Sequence, residues 1–138
     1  LADIKRIAHL SVHGYFDPEP ILGRTDTGGQ VTYVLELAKH LAKLGIEVDI
    51  FTRQFEGRSR IAPVNDHVRV VRLPCGPDEF IRKEDMFPYW DEFVGNMLDF
   101  LRDEGLAYQV LHGHYWDGGY VAMNVSEKLD QPFFYTAH

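Results

Sequence analysis

A pair of glycines constrains this chain more than any other feature. Gly28 and Gly29 sit inside TDTGGQ, Thr25 to Gln30, and directly behind them Val31, Val34, Leu35, Ala38, Leu41 and Ala42 recur at the period of an amphipathic helix. The glycines open that helix, free to take steep or positive φ values. Gly45 supplies its stop near Leu44, and Ile46 to Thr52 (IEVDIFT) reads as the strand that follows. Ahead of the glycines, the apolar run Arg6 to Val12 suits a buried strand of a parallel sheet. Strand, glycine turn, helix and strand form a βαβ unit, which sets the strands parallel with the helix on one face. A helix N-terminus is also an anion site, because its first N–H groups lack intrahelical partners and carry the positive end of the dipole. The same residues admit a reading without a ligand: Thr27 and Gln30 have capping-box spacing, which closes a helix start by itself.

The alternation continues beyond this unit. Arg53 to Asp66 reads as a polar loop and His67 to Leu73 as a strand. A helix spans about Tyr89 to Glu104, with Phe93, Met97, Phe100 and Leu101 inward and Gly105 at its end. Gln109 to Gly113 is a fourth strand, Gly118 to Leu129 a third helix and Pro132 to Ala137 a fifth strand. The pattern predicts an α/β fold: a three-layer, Rossmann-like doubly wound parallel sheet in the order third, second, first, fourth, fifth. Ligands of such sheets sit at the carboxyl ends of the strands where the order reverses, here between the first and fourth. The loop His13 to Arg24 leads into Gly28 and Gly29, and the loop HGHYWDGG, His112 to Gly119, follows the fourth strand, so two glycine-bearing loops converge on one crevice.

With 138 residues, 45% hydrophobic and 25% charged, the chain matches one globular domain. A net charge of −7 with scattered basic residues argues against nucleic acid or an anionic membrane as partner, so a bound anion has to be held locally. The single cysteine, Cys75, cannot close an internal disulfide and no long apolar span is present, which points to the cytoplasm. The first residue is Leu1 and the last is His138, directly after an apolar run, so both ends look like the edges of a fragment.

The second loop carries most of the chemistry. His112 and His114 lie two apart and point the same way on a strand, but without a cysteine pair or a helical HExxH a zinc site is not expected and His112 reads as structural. His114 is placed to bond a hydroxyl or shuttle a proton, and Asp117 is either a sugar-hydroxyl acceptor or the N-cap of the next helix. Tyr115 and Trp116 offer flat faces suited to a pyranose ring or to a core. Lys83 is either a phosphate partner or solvated surface, and His138 either a cleft residue or simply the end of the chain.

Leu22 to Arg53, then RVVRLPCGP (Arg69 to Pro77), KEDMFPYW (Lys83 to Trp90), HGHYWDGG and a closing TAH (Thr136 to His138) resemble the retaining glycosyltransferases of the sucrose-phosphate synthase and mannosylfructose-phosphate synthase group. The resemblance spans nearly the whole chain. It implies the two-domain GT-B architecture, of which this chain matches the first, acceptor-binding domain over residues 1–138, the donor domain being absent from the sequence. It further implies hexosyl transfer from a nucleotide sugar, UDP-glucose or GDP-mannose, to fructose 6-phosphate with retained configuration, and no cofactor beyond that co-substrate. By the same resemblance Gly28, Gly29 and Gln30 contact phosphate at the cleft, Lys83 and Tyr115 bind the acceptor sugar phosphate, Asp117 lies in the adjoining loop, and His138 is the catalytic histidine that contacts the transferred hexose. Arg24, Arg53 and Arg58 match no ligand of the family.

Two rivals stand beside this reading. As an isolated fragment the chain would be a non-catalytic sugar-phosphate-binding or interaction domain, since half a cleft cannot position a donor. A nicotinamide dehydrogenase is disfavoured: GGQ lacks the GxGxxG spacing and no acidic residue ends the second strand, where Thr52 is followed by Arg53.

Overall fold

The computed structural model describes residues 3–14, 16–17 and 28–138; Arg24, Thr27 and most of the loop before the glycine pair lie outside the described residues. In chain order the elements are β1 (Arg6–Leu10), α1 (Gly29–Ala42), β2 (Glu47–Gln54), β3 (Ile61–Pro63) and β4 (Val68–Pro74), then 3₁₀ turns at Lys83–Asp85 and Phe87–Tyr89, α2 (Trp90–Glu104), β5 (Val110–His114), α3 (Tyr115–Leu129) and β6 (Phe133–Thr136).

The six strands form one sheet in the order β3-β4-β2-β1-β5-β6. Five of them run parallel in the expected order, and β1 is flanked by β2 and β5, so the order reverses between β1 and β5. The addition is β3, which pairs antiparallel with β4 inside the stretch read as a polar loop. No helix among the described residues is long and apolar enough to cross a membrane.

Alternation along the strands divides the core into two layers. On one face Val34, Leu35 and Ala38 of α1 pack on Val48, Ile50, Val68 and Val70. On the other, α2 and α3 contribute Phe93, Met97, Val121 and Val125 against Ala8, Leu10, Phe51, Val71 and Leu111. The expected glycine stops are in place: Gly45 (φ 87) turns the chain after α1, and Gly105 (φ 63) caps α2 in the left-handed conformation.

The Gly113 to Gly119 segment differs from expectation. Helix α3 starts at Tyr115, not Gly118, and His114, not Asp117, occupies the N-cap position. A close approach to the sheet accounts for the glycines: a Cβ at Gly118 would lie 2.1 Å from the Leu10 carbonyl oxygen, and one at Gly113 would lie 2.5 Å from that of Gly118. With no side chains between them, α3 sits directly on β1 and β5 and brings its first turn to the carboxyl edge.

Candidate functional site

A cleft of about 360 Å³ opens between the loops that leave β1 and β5, lined by His13, Gly28, Gly29, Gln30, Val31, Lys83, Tyr115 and His138. It unites the two loops singled out by the sequence with the 3₁₀ turn that carries Lys83.

Gly28 is the N-cap of α1 with φ −79 and ψ −143, outside the usual helical and extended regions, and neither it nor Gly29 takes a positive φ. Among the described residues, a Cβ built at either meets nothing within 4 Å. Both glycines line the cleft at the helix start, where N–H groups favour an anion. Gln30 Nε2 donates to Ser11 Oγ at 2.8 Å, tying the first turn of α1 to the chain just beyond β1. The capping partner expected for it, Thr27, lies outside the described residues, and Gly28 has no side-chain cap bond.

Lys83 and Tyr115 meet at the opposite wall, with Lys83 Nζ 5.3 Å from the centroid of the Tyr115 ring. Tyr115 adopts φ 64 and sets its ring edge-on to His13 at 5.0 Å. Trp116 stacks on Tyr115 at 6.0 Å and is 71% exposed, so it is a surface aromatic and not core.

Asp117 and His114 occupy different stations from those expected. Asp117 is buried; its Oδ2 lies 2.7 Å from His13 Nδ1, and its Oδ1 accepts from the Gly118 N–H at 2.6 Å. It holds a cleft histidine and does not itself face the cleft. His114 is also fully enclosed, with Nε2 at 2.9 Å from His9 Nδ1 and Nδ1 at 2.8 Å from His138 Nε2. Behind the cleft wall, it has both ring nitrogens engaged and none left for a hydroxyl. His138 does line the cleft; burial and the nearby His13 lower its pKa from the ordinary histidine value.

His112 Nε2 bonds Thr136 Oγ1 at 2.7 Å, the structural part expected of it. His9, His112 and His114 each offer a nitrogen within 4.8 Å of the others, a grouping that only the strand register reveals. Within this grouping His9 Nδ1 and His114 Nε2 lie at hydrogen-bond distance from each other, His112 Nε2 is bonded to Thr136, and the rings of His112 and His114 stack at 4.1 Å. Arg53, buried, donates to the carbonyls of Cys75, Pro77 and Glu79, and Arg58 pairs with Asp17; both arginines hold loops.

Sequence reasoning missed His13 and His9. His13 had a signal, since it stands just past the strand that borders the switch point. His9 had only its parity within an apolar strand.

The profile of the glycosyl transferase 4-like domain matches residues 28–138. The chain belongs to this family. This glycosyl transferase 4-like domain is 46% identical over 133 residues to mannosylfructose-phosphate synthase of Agrobacterium fabrum, covering 96% of the chain and 29% of that enzyme. It is 37% identical to D-inositol 3-phosphate glycosyltransferase of Corynebacterium aurimucosum, covering 96% and 31% respectively. Among solved structures, sucrose-phosphate synthase from Thermosynechococcus elongatus superposes with a TM-score of 0.87 at 32% identity, over 97% of this chain and 33% of that one. The domain therefore spans about a third of the length of the relatives it matches.

Proposed function

We propose that the domain is the acceptor half of a two-domain, GT-B retaining glycosyltransferase that transfers a hexose from a nucleotide sugar, UDP-glucose or GDP-mannose, to fructose 6-phosphate in the cytoplasm. The observation that carries this reading is the convergence of the glycine-opened N-terminus of α1, Lys83, Tyr115 and His138 on one cleft at the switch point. Relatives named for mannosylfructose-phosphate, inositol 3-phosphate and sucrose-phosphate support a phosphorylated polyol or sugar as acceptor. The α1 amides and Lys83 offset the phosphate charge, and the Tyr115 ring gives the sugar an apolar face. The leaving diphosphate accepts the acceptor's proton, so the cleft needs no pair of carboxylates at glycosidase spacing. The donor half supplies the nucleotide-sugar contacts, and the isolated domain binds acceptor without turnover.

The test is to incubate the full-length protein with each nucleotide sugar and fructose 6-phosphate and to detect the disaccharide phosphate by mass spectrometry. Shift mapping of the 138-residue chain with fructose 6-phosphate accompanies it. Product formation, with shifts at Gly28, Gln30 and Lys83, is expected; no product from either donor, with shifts away from both loops, overturns the reading.

A further inference from the structure

Three imidazoles form a line from the centre of the sheet to the cleft. His9, in β1 and fully buried, places Nδ1 at 2.9 Å from His114 Nε2, and His114 Nδ1 lies 2.8 Å from His138 Nε2. Tyr33 of α1 closes over the outer two rings, 6.0 Å from His114 and 5.1 Å from His138. Beside the line, His112 stacks on His114 with its own Nε2 on Thr136. Burial takes His9 down to about 3 and His114 to about 2, so at neutral pH each ring holds one proton for two nitrogens.

Such a line has only two proton arrangements, and each fixes every ring in it. The buried end decides between them. His9 Nε2 is buried without a hydrogen-bond partner among the described residues. Were the bonds to run inward from His138, His9 would carry its proton on that nitrogen, a buried N–H with no acceptor, which is the rarer and costlier defect. Running outward leaves only a lone pair unmet.

We propose that His9 and His114 are positioning residues that lock the tautomer of the cleft histidine: all three rings carry their proton on Nδ1, so His138 accepts from His114 at Nε2 and offers its Nδ1–H for donation into the cleft. The consequence for transfer rests on the reading of the cleft given above. A histidine locked in this way arrives at the sugar as a donor, with no tautomer change before it can act.

The tautomers are directly measurable. Two-bond ¹⁵N–¹H correlation spectra of full-length protein labelled at histidine, with His138 assigned through the His138→Asn variant, distinguish Nδ1–H from Nε2–H in each ring. The expected spectrum at neutral pH shows Nδ1–H for His9, His114 and His138; an Nε2–H or averaged pattern at His138 overturns the proposal. In His114→Phe, His138 is expected to relax to a mixture, and kcat to fall about tenfold at nearly constant acceptor KM. His114→Asn, whose amide nitrogen stands near the lost Nδ1, should restore the Nδ1–H pattern and most of kcat. Equal loss in both variants with an unmoved tautomer shows a packing role and overturns it. Should His114→Phe not fold, the wild-type spectrum still decides. It decides also if fructose 6-phosphate proves not to be a substrate, so the two failures are separable.

Discussion

Asp117 Oδ2 lies 2.7 Å from Nδ1 of His13, joining the first turn of α3 to the segment beyond β1 across a sequence separation of 104. Because Asp117 Oδ1 already accepts from the Gly118 N–H, an asparagine here must turn its NH₂ toward His13 and force that ring to accept at Nδ1. With Nδ1 accepting, the proton of His13 sits on Nε2, as a donor toward the cleft. Asp117→Asn is expected to lower kcat/KM for the phosphorylated acceptor about tenfold to a hundredfold, with a melting temperature within a few degrees of wild type. Steady-state kinetics beside a melting curve check it, and an unchanged kcat/KM would leave His13 as packing only.

The buried histidines make the fold sensitive to acid. Burial lowers the His9 pKa from 6.5 to about 3, so between those values the unfolded chain binds a proton that the folded chain refuses. Stability therefore rises with pH across this window and is lost as pH falls below 6.5 towards 3. One such proton contributes a slope of about 1.4 kcal/mol per pH unit. His9→Phe should flatten the slope by about one proton between roughly pH 4 and 6, whatever it does to absolute stability. Urea titrations at several pH values give both slopes, and parallel slopes would contradict a neutral, buried His9.

Glycines at the two loops fail in different ways. At Gly118 a methyl would meet the Leu10 carbonyl at 2.1 Å, backbone against backbone. Gly118→Ala is expected to cost about 3 kcal/mol or more, or to prevent folding. At Gly29 a methyl meets nothing within 4 Å among the described residues, so Gly29→Ala should hold stability or raise it by roughly 0.5–1 kcal/mol through helix propensity. It should nonetheless weaken acceptor binding, since the methyl occupies the cleft. Denaturation and calorimetric titration of the two variants separate the outcomes.

How much of this was legible follows from the range of each signal. Helix and strand periods are local, and glycine stops such as Gly45 and Gly105 marked their ends, so the order of the parallel strands followed from alternation and chain sequence. Strand β3 was not visible because three residues ending in Pro63 carry no period, and the partner β4 alone organises them. The start of α3 was misread because Tyr115 enters the helix from φ 64, a conformation that glycine would be expected to supply. In the cleft, loop positions were legible, and Gly28, Gly29, Gln30, Lys83, Tyr115 and His138 do meet there. Side-chain direction was not: Asp117 and His114 turn inward on partners, His13 and His9, that lie more than a hundred residues away in the chain.

Gln30 separates a structural role from a ligand role in one substitution. Its Nε2 donates to Ser11 Oγ, a hydroxyl that is buried and can itself act as donor. In Gln30→Glu the serine rotor reverses the bond, donating to the carboxylate, and a negative charge in the first turn of α1 suits the helix dipole. The melting temperature should therefore stay nearly constant. A phosphate at the same helix start would meet that charge in a partly desolvated cleft, where repulsion costs on the order of 1–3 kcal/mol of binding, or roughly tenfold to a hundredfold in affinity. The substitution should depress kcat/KM for a phosphorylated acceptor, and the penalty should shrink as ionic strength rises and screens the pair. Gln30→Ala provides the contrast: it removes the Ser11 bond without adding charge, so it should lose about 1 kcal/mol of stability and far less of kcat/KM. Kinetics of Gln30→Glu that match wild type, at low and high salt alike, would leave Gln30 as a tie between α1 and β1 and move the phosphate elsewhere in the cleft.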